Sequence, residues 1–138
     1  MGQQQLLLLV LGIVIVGLAV VVGIQAFSDG AQQAEIDAAT MDAVRIASLA
    51  QAWAQKPTAF GGNGATSATV TPFAGLELGD LGLSDPYVTA NGSFTITVNN
   101  AGADFDVDGD PTNAPYTVEA NVTGIESDDI TTTVAPDA

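Results

Sequence analysis

The chain has 138 residues, with 16 acidic residues against two basic ones, and its net charge is −14. An acidic surface of this kind repels nucleic acid phosphates, whose binding depends on Lys and Arg, so we predict no nucleic acid partner. The absence of Cys excludes disulfides and thiolate metal sites, and the absence of His removes the commonest general base and transition-metal ligand. We therefore predict that the protein is not an enzyme and has no resident cofactor, with one exception, a calcium site, considered below.

The negative charge is concentrated in the C-terminal part of the chain. Residues 57–138 contain twelve acidic residues and no basic one. This composition suits a protein that stays soluble in concentrated salt, where screening removes much of the self-repulsion. It is equally typical of an ordinary secreted acidic surface. Stability measured against salt concentration distinguishes the halophilic interpretation from the ordinary one.

The N-terminal part is dominated by an apolar segment, Leu6–Ile24, with nineteen residues and no charged or polar side chain. A helix of about 20 apolar residues is long enough to cross a bilayer. We expect residues 1–27 to form the hydrophobic half of a long helix. The preceding Met1–Gln5 lacks the basic residues of a secretory signal. Met1 is therefore either a translation start or the first residue of a chain whose leader has been removed.

The helical pattern continues through residues 28–56, which are rich in Ala and Gln and contain no proline. Two apolar stripes follow steps of three and four residues. The first stripe comprises Ala34, Ala38, Met41, Arg45, Leu49 and Trp53, and the second comprises Ile36, Ala39, Ala43, Ile46, Ala47, Ala50 and Ala54. Pro57 ends the pattern, so a helix over Leu6–Gln55 would be roughly 75 Å long. Two apolar sides indicate two partners, one of them the chain's own C-terminal domain and the other plausibly a second copy.

The C-terminal part, residues 57–138, begins with a Gly-rich loop at 61–67 that has no lysine and is not a phosphate-binding loop. Between Thr71 and Tyr87 four leucines, at 76, 78, 81 and 83, predict a buried connection. Alternation with period two then predicts strands over 93–98, 104–108, 116–123 and 130–134. Short connections favour antiparallel neighbours. We predict an α+β fold in which a long N-terminal helix packs on a small antiparallel β-sheet.

The segment from Asp104 to Asp110 matches the opening of a calcium-binding loop, with carboxylates at Asp104, Asp106, Asp108 and Asp110. Oxygen ligands suit a hard cation. The twelfth position, where such a loop has a bidentate Glu, is Pro115, and no helical pattern flanks the segment. A strand with an acidic outer face explains the same alternation, so both interpretations remain open.

Asn91 and Asn121 each begin an N-glycosylation sequon, Asn91-Gly92-Ser93 and Asn121-Val122-Thr123. Sequons of three residues also arise by chance in chains rich in Thr. Glycosylation at these two asparagines is therefore a hypothesis that depends on the source of the protein.

The whole architecture resembles a type IV pilin or a related pilin-like filament subunit: a long helix, apolar first and amphipathic afterwards, then a variable loop and a small antiparallel sheet. Members of that family commonly begin with an N-methylated Phe, Met or Leu and have glutamate at the fifth position. Met1 matches the first feature, whereas Gln5 stands in place of the glutamate, and the frequent paired cysteines are absent. The resemblance implies that Met1 and Gln5 are the residues of N-terminal recognition.

The resemblance further implies that the chain is a structural subunit of an extracellular filament, a homopolymer that is held in the cytoplasmic membrane and then assembled by pilus machinery. The apolar segment would be the membrane anchor first and the filament core afterwards, with the core positions Leu6, Leu9, Ile13, Val16, Val20 and Ile24. Adhesion, motility, uptake and conduction are not distinguished. The alternative is a single-span, membrane-anchored acidic protein that binds a cation or a cationic partner.

Overall fold

The structure, a computed structural model, describes residues 2–137. The main elements are helix α1 (Gly2–Gln55) and strands β1 (Tyr87–Val88), β2 (Gly92–Asn99), β3 (Asp104–Pro111), β4 (Tyr116–Val122) and β5 (Ile130–Pro136). Short 3-10 turns at Thr58–Phe60, Leu78–Leu81, Asn100–Gly102 and Ser127–Asp129 connect them. The chain divides into two compact units, Met1–Ala34 and Glu35–Ala138. The predicted α+β class is confirmed.

Helix α1 is continuous from Gly2 to Gln55, so the prediction that the polar stretch around Asp29 and Gly30 does not interrupt it is correct. The amide of Lys56 still donates to the carbonyls of Ala52 and Trp53, at 3.1 Å each, so helical hydrogen bonding continues as far as this residue. Pro57 has no amide hydrogen and cannot extend the ladder. The helix therefore ends where the sequence predicts.

The five strands form one antiparallel sheet in the order β1-β2-β3-β4-β5, a meander in which every strand pairs with its neighbour in sequence. The four predicted strands correspond to β2 to β5. The two-residue strand β1 was not predicted, since it is too short to show alternation. At the turn between β2 and β3, Gly102 has a φ of +101°, a conformation that other residues rarely adopt.

The core of unit Glu35–Ala138 lies between the helix and one face of the sheet. The second stripe of α1 is buried in full: Ile36, Ala39, Ala43, Ile46, Ala47, Ala50 and Ala54. Facing it are the inward side chains of the central strands, Phe94, Phe105, Val107, Val118, Ala120 and Val122. Alanines on the helix let the sheet approach closely, and the larger side chains come from the sheet. The predicted packing of the helix on the sheet is confirmed.

The connection between the helix and the sheet completes this core. Phe73 packs edge-on against Phe105, with ring centroids 4.6 Å apart. Leu76 and Leu78 are buried, while Leu81 and Leu83 are half-buried against the same cluster. The four leucines thus form the predicted buried connection, which contains one 3-10 turn, Leu78–Leu81.

Candidate functional site

The most distinctive surface of the chain is the apolar segment Leu6–Ile24. The predicted core positions Leu6, Leu9, Ile13, Val16, Val20 and Ile24 are each at least 55% exposed. Their three- and four-residue spacing places them along one side of the helix. The structure thus provides an uncharged, accessible apolar surface, while the role of these six residues in a filament stays a prediction.

This segment is long and apolar enough to cross a membrane, judged by length and composition alone. None of its apolar stretch is buried within the chain. Large exposed apolar surfaces are rare on soluble monomers and mark sites that contact a membrane or another protein. The helix is therefore compatible with membrane anchoring and with a pilin-like helix.

Glycines shape this surface locally. Gly12 and Gly17, with Leu9, Ile13 and Val16, form an open, apolar patch on the helix. A Cβ atom added at either glycine would meet no other heavy atom within 4 Å. The chain's own packing therefore does not require glycine at these positions. Small residues there permit the close approach of another helix, although Gly is also frequent in membrane helices generally.

The predicted recognition residues lie at the beginning of this segment. Gln5 is an exposed residue in the first turns of α1. Its neutral amide can accept or donate a hydrogen bond, but it cannot form an ion pair as a glutamate does. Met1 lies outside the described residues. The recognition role of Met1 and Gln5 stays a prediction.

Polar side chains of α1 form hydrogen bonds with the loops of the sheet, and these contacts were not predicted from the sequence. Nε2 of Gln51, a residue only 7% exposed, donates to the carbonyls of Gly124 at 2.9 Å and Glu126 at 2.6 Å. One turn further, Gln55 donates to the carbonyl of Ile125 at 2.9 Å. Two glutamines four residues apart thus hold the β4–β5 connection. Their spacing is visible in the sequence, but their partners are about seventy residues away.

Two carboxylates of α1 accept hydrogen bonds from two other turns of the sheet. Asp42 accepts hydrogen bonds from Thr89 at 3.1 Å and from the side-chain amide of Asn91 at 2.8 Å, and so holds the turn between β1 and β2. Glu35 accepts one from the backbone amide of Asn113 at 2.8 Å, in the turn between β3 and β4. Both carboxylates lie beside the buried stripe, where they can reach the rim of the sheet.

The four carboxylates of the calcium hypothesis lie on β3, alternating with the buried Phe105, Val107 and Gly109. Successive carboxylates on one face of a strand are about 6 to 7 Å apart along it. Three of them accept hydrogen bonds from neutral donors: Asp104 from Asn100, Asp106 from Asn99 and Asn121, and Asp108 from Thr97. Among residues 2–137 no group of three or more acidic side chains is arranged to hold a metal ion. The segment is a strand with an acidic outer face, and calcium binding stays a prediction.

Asp108 is the carboxylate whose titration is most affected by this arrangement. Desolvation by burial raises its pKa above the ordinary value, and the negative charge of Asp106 raises the pKa further, while the hydrogen bond from Thr97 acts in the opposite direction. On the neighbouring strand Glu119 is directly opposite Asp108. The outer face of the sheet therefore concentrates negative charge that no cation within residues 2–137 neutralises.

The two sequon asparagines are both hydrogen-bonded through the nitrogen to which a glycan would be attached. The Nδ2 atom of Asn91 donates to Asp42 at 2.8 Å, and that of Asn121 donates to Asp106. Both residues are half-buried. A glycan at either position would replace an existing hydrogen bond, and glycosylation stays a prediction.

Comparison of the chain with protein-family models, curated proteins and solved structures found no match in any of the three. The class of protein is therefore defined by the fold and the exposed segment alone. The chain is an α+β protein whose long N-terminal helix is apolar and exposed in its first part and packs on an antiparallel sheet in its last part.

Proposed function

We propose that the chain is a structural subunit of an extracellular, type IV pilus-like filament. The observation that supports this proposal is the exposed, uncharged surface of Leu6–Ile24 on a helix whose later turns carry a folded domain. A membrane covers such a surface before assembly. Once the subunit leaves the lipid, the same surface must be buried against other copies, because exposing it to water is unfavourable.

The magnitude of this burial, measured against exposure to water, is sufficient to keep an extracted subunit in the polymer; against the lipid it gives no net hydrophobic gain. Full burial of a Val, Leu or Ile side chain contributes about 1.5 to 3 kcal/mol, so the six predicted core positions contribute roughly 10 kcal/mol or more. Association costs several kcal/mol in lost freedom of the subunit. Relative to exposure in water, the balance favours a polymer of closely packed helices, in which the small residues Gly12 and Gly17 permit the close approach of a neighbouring helix.

The two faces of the sheet support the same organisation. The inner face is used by α1, whereas the outer face of β2, β3 and β4 has mainly Thr, Asp, Asn and Glu side chains, with the exposed Val88 of β1 at its edge. An acidic outer face suits a domain on the outside of a filament, since it keeps the polymer soluble.

The test is electron microscopy of material sheared from cells that express the full chain, with antibody labelling of the chain. We expect labelled fibres from the wild type and none from Val20→Asp, because a buried, unpaired carboxylate is incompatible with an apolar core. The matched control, Val20→Leu, preserves the apolar surface and should assemble. Membrane fractionation shows whether each variant was inserted. Unlabelled material from the wild type, or normal fibres from membrane-inserted Val20→Asp, would refute the proposal.

A second candidate, a membrane-anchored acidic protein that binds a cationic partner, is favoured by the carboxylates of β3. It differs from the filament subunit in one observable respect. The chain would remain in the membrane fraction without fibres and would bind a cationic probe such as polylysine in a salt-dependent manner.

A further inference from the structure

The two basic residues of the chain occupy one strip of the helix surface. Arg45 and Lys56 are eleven residues apart on or directly after α1, which is close to three helical turns, so both lie on the same side, about 16 Å apart along the axis. Both are exposed. Within residues 2–137 neither pairs with a carboxylate, although the chain has 16 acidic residues. A chain this acidic therefore leaves its Arg and its Lys without an ion pair to any carboxylate of residues 2–137.

The surface between these cations is of mixed character. It includes Leu49 and Trp53 of the first stripe, which are half-buried, and the exposed Ala52. These three residues, with Lys56, Asp80 and Leu81, line a groove of about 240 Å³. The indole Nε1 of Trp53 is buried there without an acceptor, an uncommon arrangement in a folded protein. We call the surface from Arg45 to Lys56 the basic strip.

The complementary surface is the outer face of β3 and β4, with Asp104, Asp106, Asp108 and Asp110 on one strand and Glu119 opposite Asp108 on the next. We call it the acidic face. Asp104 and Asp110 are six residues apart, about 20 Å along the strand, a span similar to that of the two cations. Because α1 covers the inner face of the sheet, the basic strip and the acidic face of one copy point away from each other. They can meet only between copies.

We propose that neighbouring copies in the polymer contact each other through these two surfaces, with Arg45 and Lys56 of one copy against the β3–β4 carboxylates of the next. This inference rests on the proposed filament. A contact between two different patches of the same chain is heterologous. After one contact, one copy still has a free acidic face and the other a free basic strip, so the contact repeats along an open polymer. It also relieves the repulsion between Asp108 and Glu119, which are like charges directly opposite each other.

The test uses disulfide cross-linking of the full chain, which contains no native cysteine. Ala52→Cys marks the basic strip and Thr95→Cys, opposite Asp108 on β2, marks the acidic face, and neither substitution removes a charge. The two single variants, differently tagged, are co-expressed and oxidised, and the mixed dimer is measured. In the matched control Thr95→Cys is replaced by Ser67→Cys, an exposed position in the Gly-rich loop. We expect the mixed dimer to be enriched over the control.

Charge reversal then tests the physical cause. Arg45→Glu combined with Lys56→Glu should lower the mixed-dimer yield about tenfold, because two attractions become two repulsions. Adding Asp108→Lys and Asp110→Lys should restore it, and high salt should weaken the wild-type contact. A yield equal to the control, or one insensitive to charge reversal, overturns the proposed contact.

Microscopy of the same material separates this inference from the proposed function. Labelled fibres without an enriched mixed dimer overturn the contact and leave the filament standing. An enriched, charge-dependent mixed dimer without fibres supports the contact and counts against the filament. Neither fibres nor an enriched dimer overturns both.

Discussion

Gln51 is the residue at which the attachment of the helix to the sheet is best tested. It is the only polar residue among those buried on α1, and its Nε2 atom donates to two carbonyls, those of Gly124 and Glu126. Replacing it by Ala removes both hydrogen bonds and leaves a space beneath the β4–β5 connection. The adjacent Gln55 is exposed and makes one such bond, to Ile125, so Gln55→Ala is a matched control.

The expected cost follows from these contacts. A hydrogen bond contributes about 0.5 to 1.5 kcal/mol net, and a buried group left unpaired costs about 1 to 3 kcal/mol. The Gly124 carbonyl belongs to a half-buried residue, whereas Glu126 is exposed and its carbonyl can bind water instead. We therefore expect Gln51→Ala to lower the free energy of unfolding by about 2 to 3 kcal/mol, and Gln55→Ala to lower it by about 0.5 kcal/mol.

The measurement is chemical unfolding of the detergent-solubilised full chain, followed by circular dichroism, together with amide hydrogen exchange. The amides of Thr123 and Asp129 close the turn at this connection, through bonds to the carbonyls of Asp129 and Glu126 at 3.1 Å. They should exchange faster in Gln51→Ala. A second variant, Gln51→Leu, fills the space without donating. If Gln51→Leu is as stable as the wild type, or if both alanine variants lose the same stability, the hydrogen-bond argument is wrong.

Two further predictions concern the sheet. Gly109 is opposite Phe94, and a Cβ at Gly109 would lie 2.6 Å from the Phe94 ring. Gly109→Ala should therefore lower the free energy of unfolding by about 1 to 3 kcal/mol in the same assay. The control is Gly79→Ala, where an added Cβ meets nothing within 4 Å. Partial burial and the charge of Asp106 raise the pKa of Asp108 in the folded state, and Glu119 is opposite Asp108. As pH rises from the unfolded-state pKa through the raised folded-state pKa, ionisation of Asp108 therefore lowers the free energy of unfolding. Asp108→Asn should therefore be slightly more stable than the wild type at pH 7, by less than about 1 kcal/mol because the carboxylate is only partly desolvated and solvent screens its interactions, and this gain should vanish below about pH 4 in a pH titration of stability. A gain that grew on acidification would contradict the sign.

The sequence predicts those features that depend on periodicity. The seven residues of the second stripe, Ile36 through Ala54, are all buried, because a three- and four-residue spacing defines one helix side regardless of its partner. Four strands and the buried leucine connection follow from period-two alternation and composition in the same way. The surface of Leu6–Ile24 is also evident from composition, since an uncharged segment of this length has few other structures available to it.

The features that the sequence does not predict depend on contacts between distant residues. Strand β1 has two residues and exists because Tyr87 and Val88 pair with Phe94 and Ser93, not because of any pattern of its own. The attachments made by Asp42 and Gln51 connect positions about fifty to seventy residues apart. Polar residues on a helix are ordinarily assigned to solvent, and only the register of the sheet shows which of them reach a loop.

The distribution of charge on α1 follows from these attachments. Glu35 and Asp42, two of its acidic residues, accept hydrogen bonds from turns of the sheet, while Arg45 and Lys56, on the opposite strip, form no ion pair within the described residues 2–137. Solubility does not explain the two cations, because each one reduces the net negative charge of an acidic protein. If they served the fold, they would pair with one of the many carboxylates of the same chain. Their position on one side of the helix is explained by a partner that supplies the carboxylates, and another copy of this chain has such a surface.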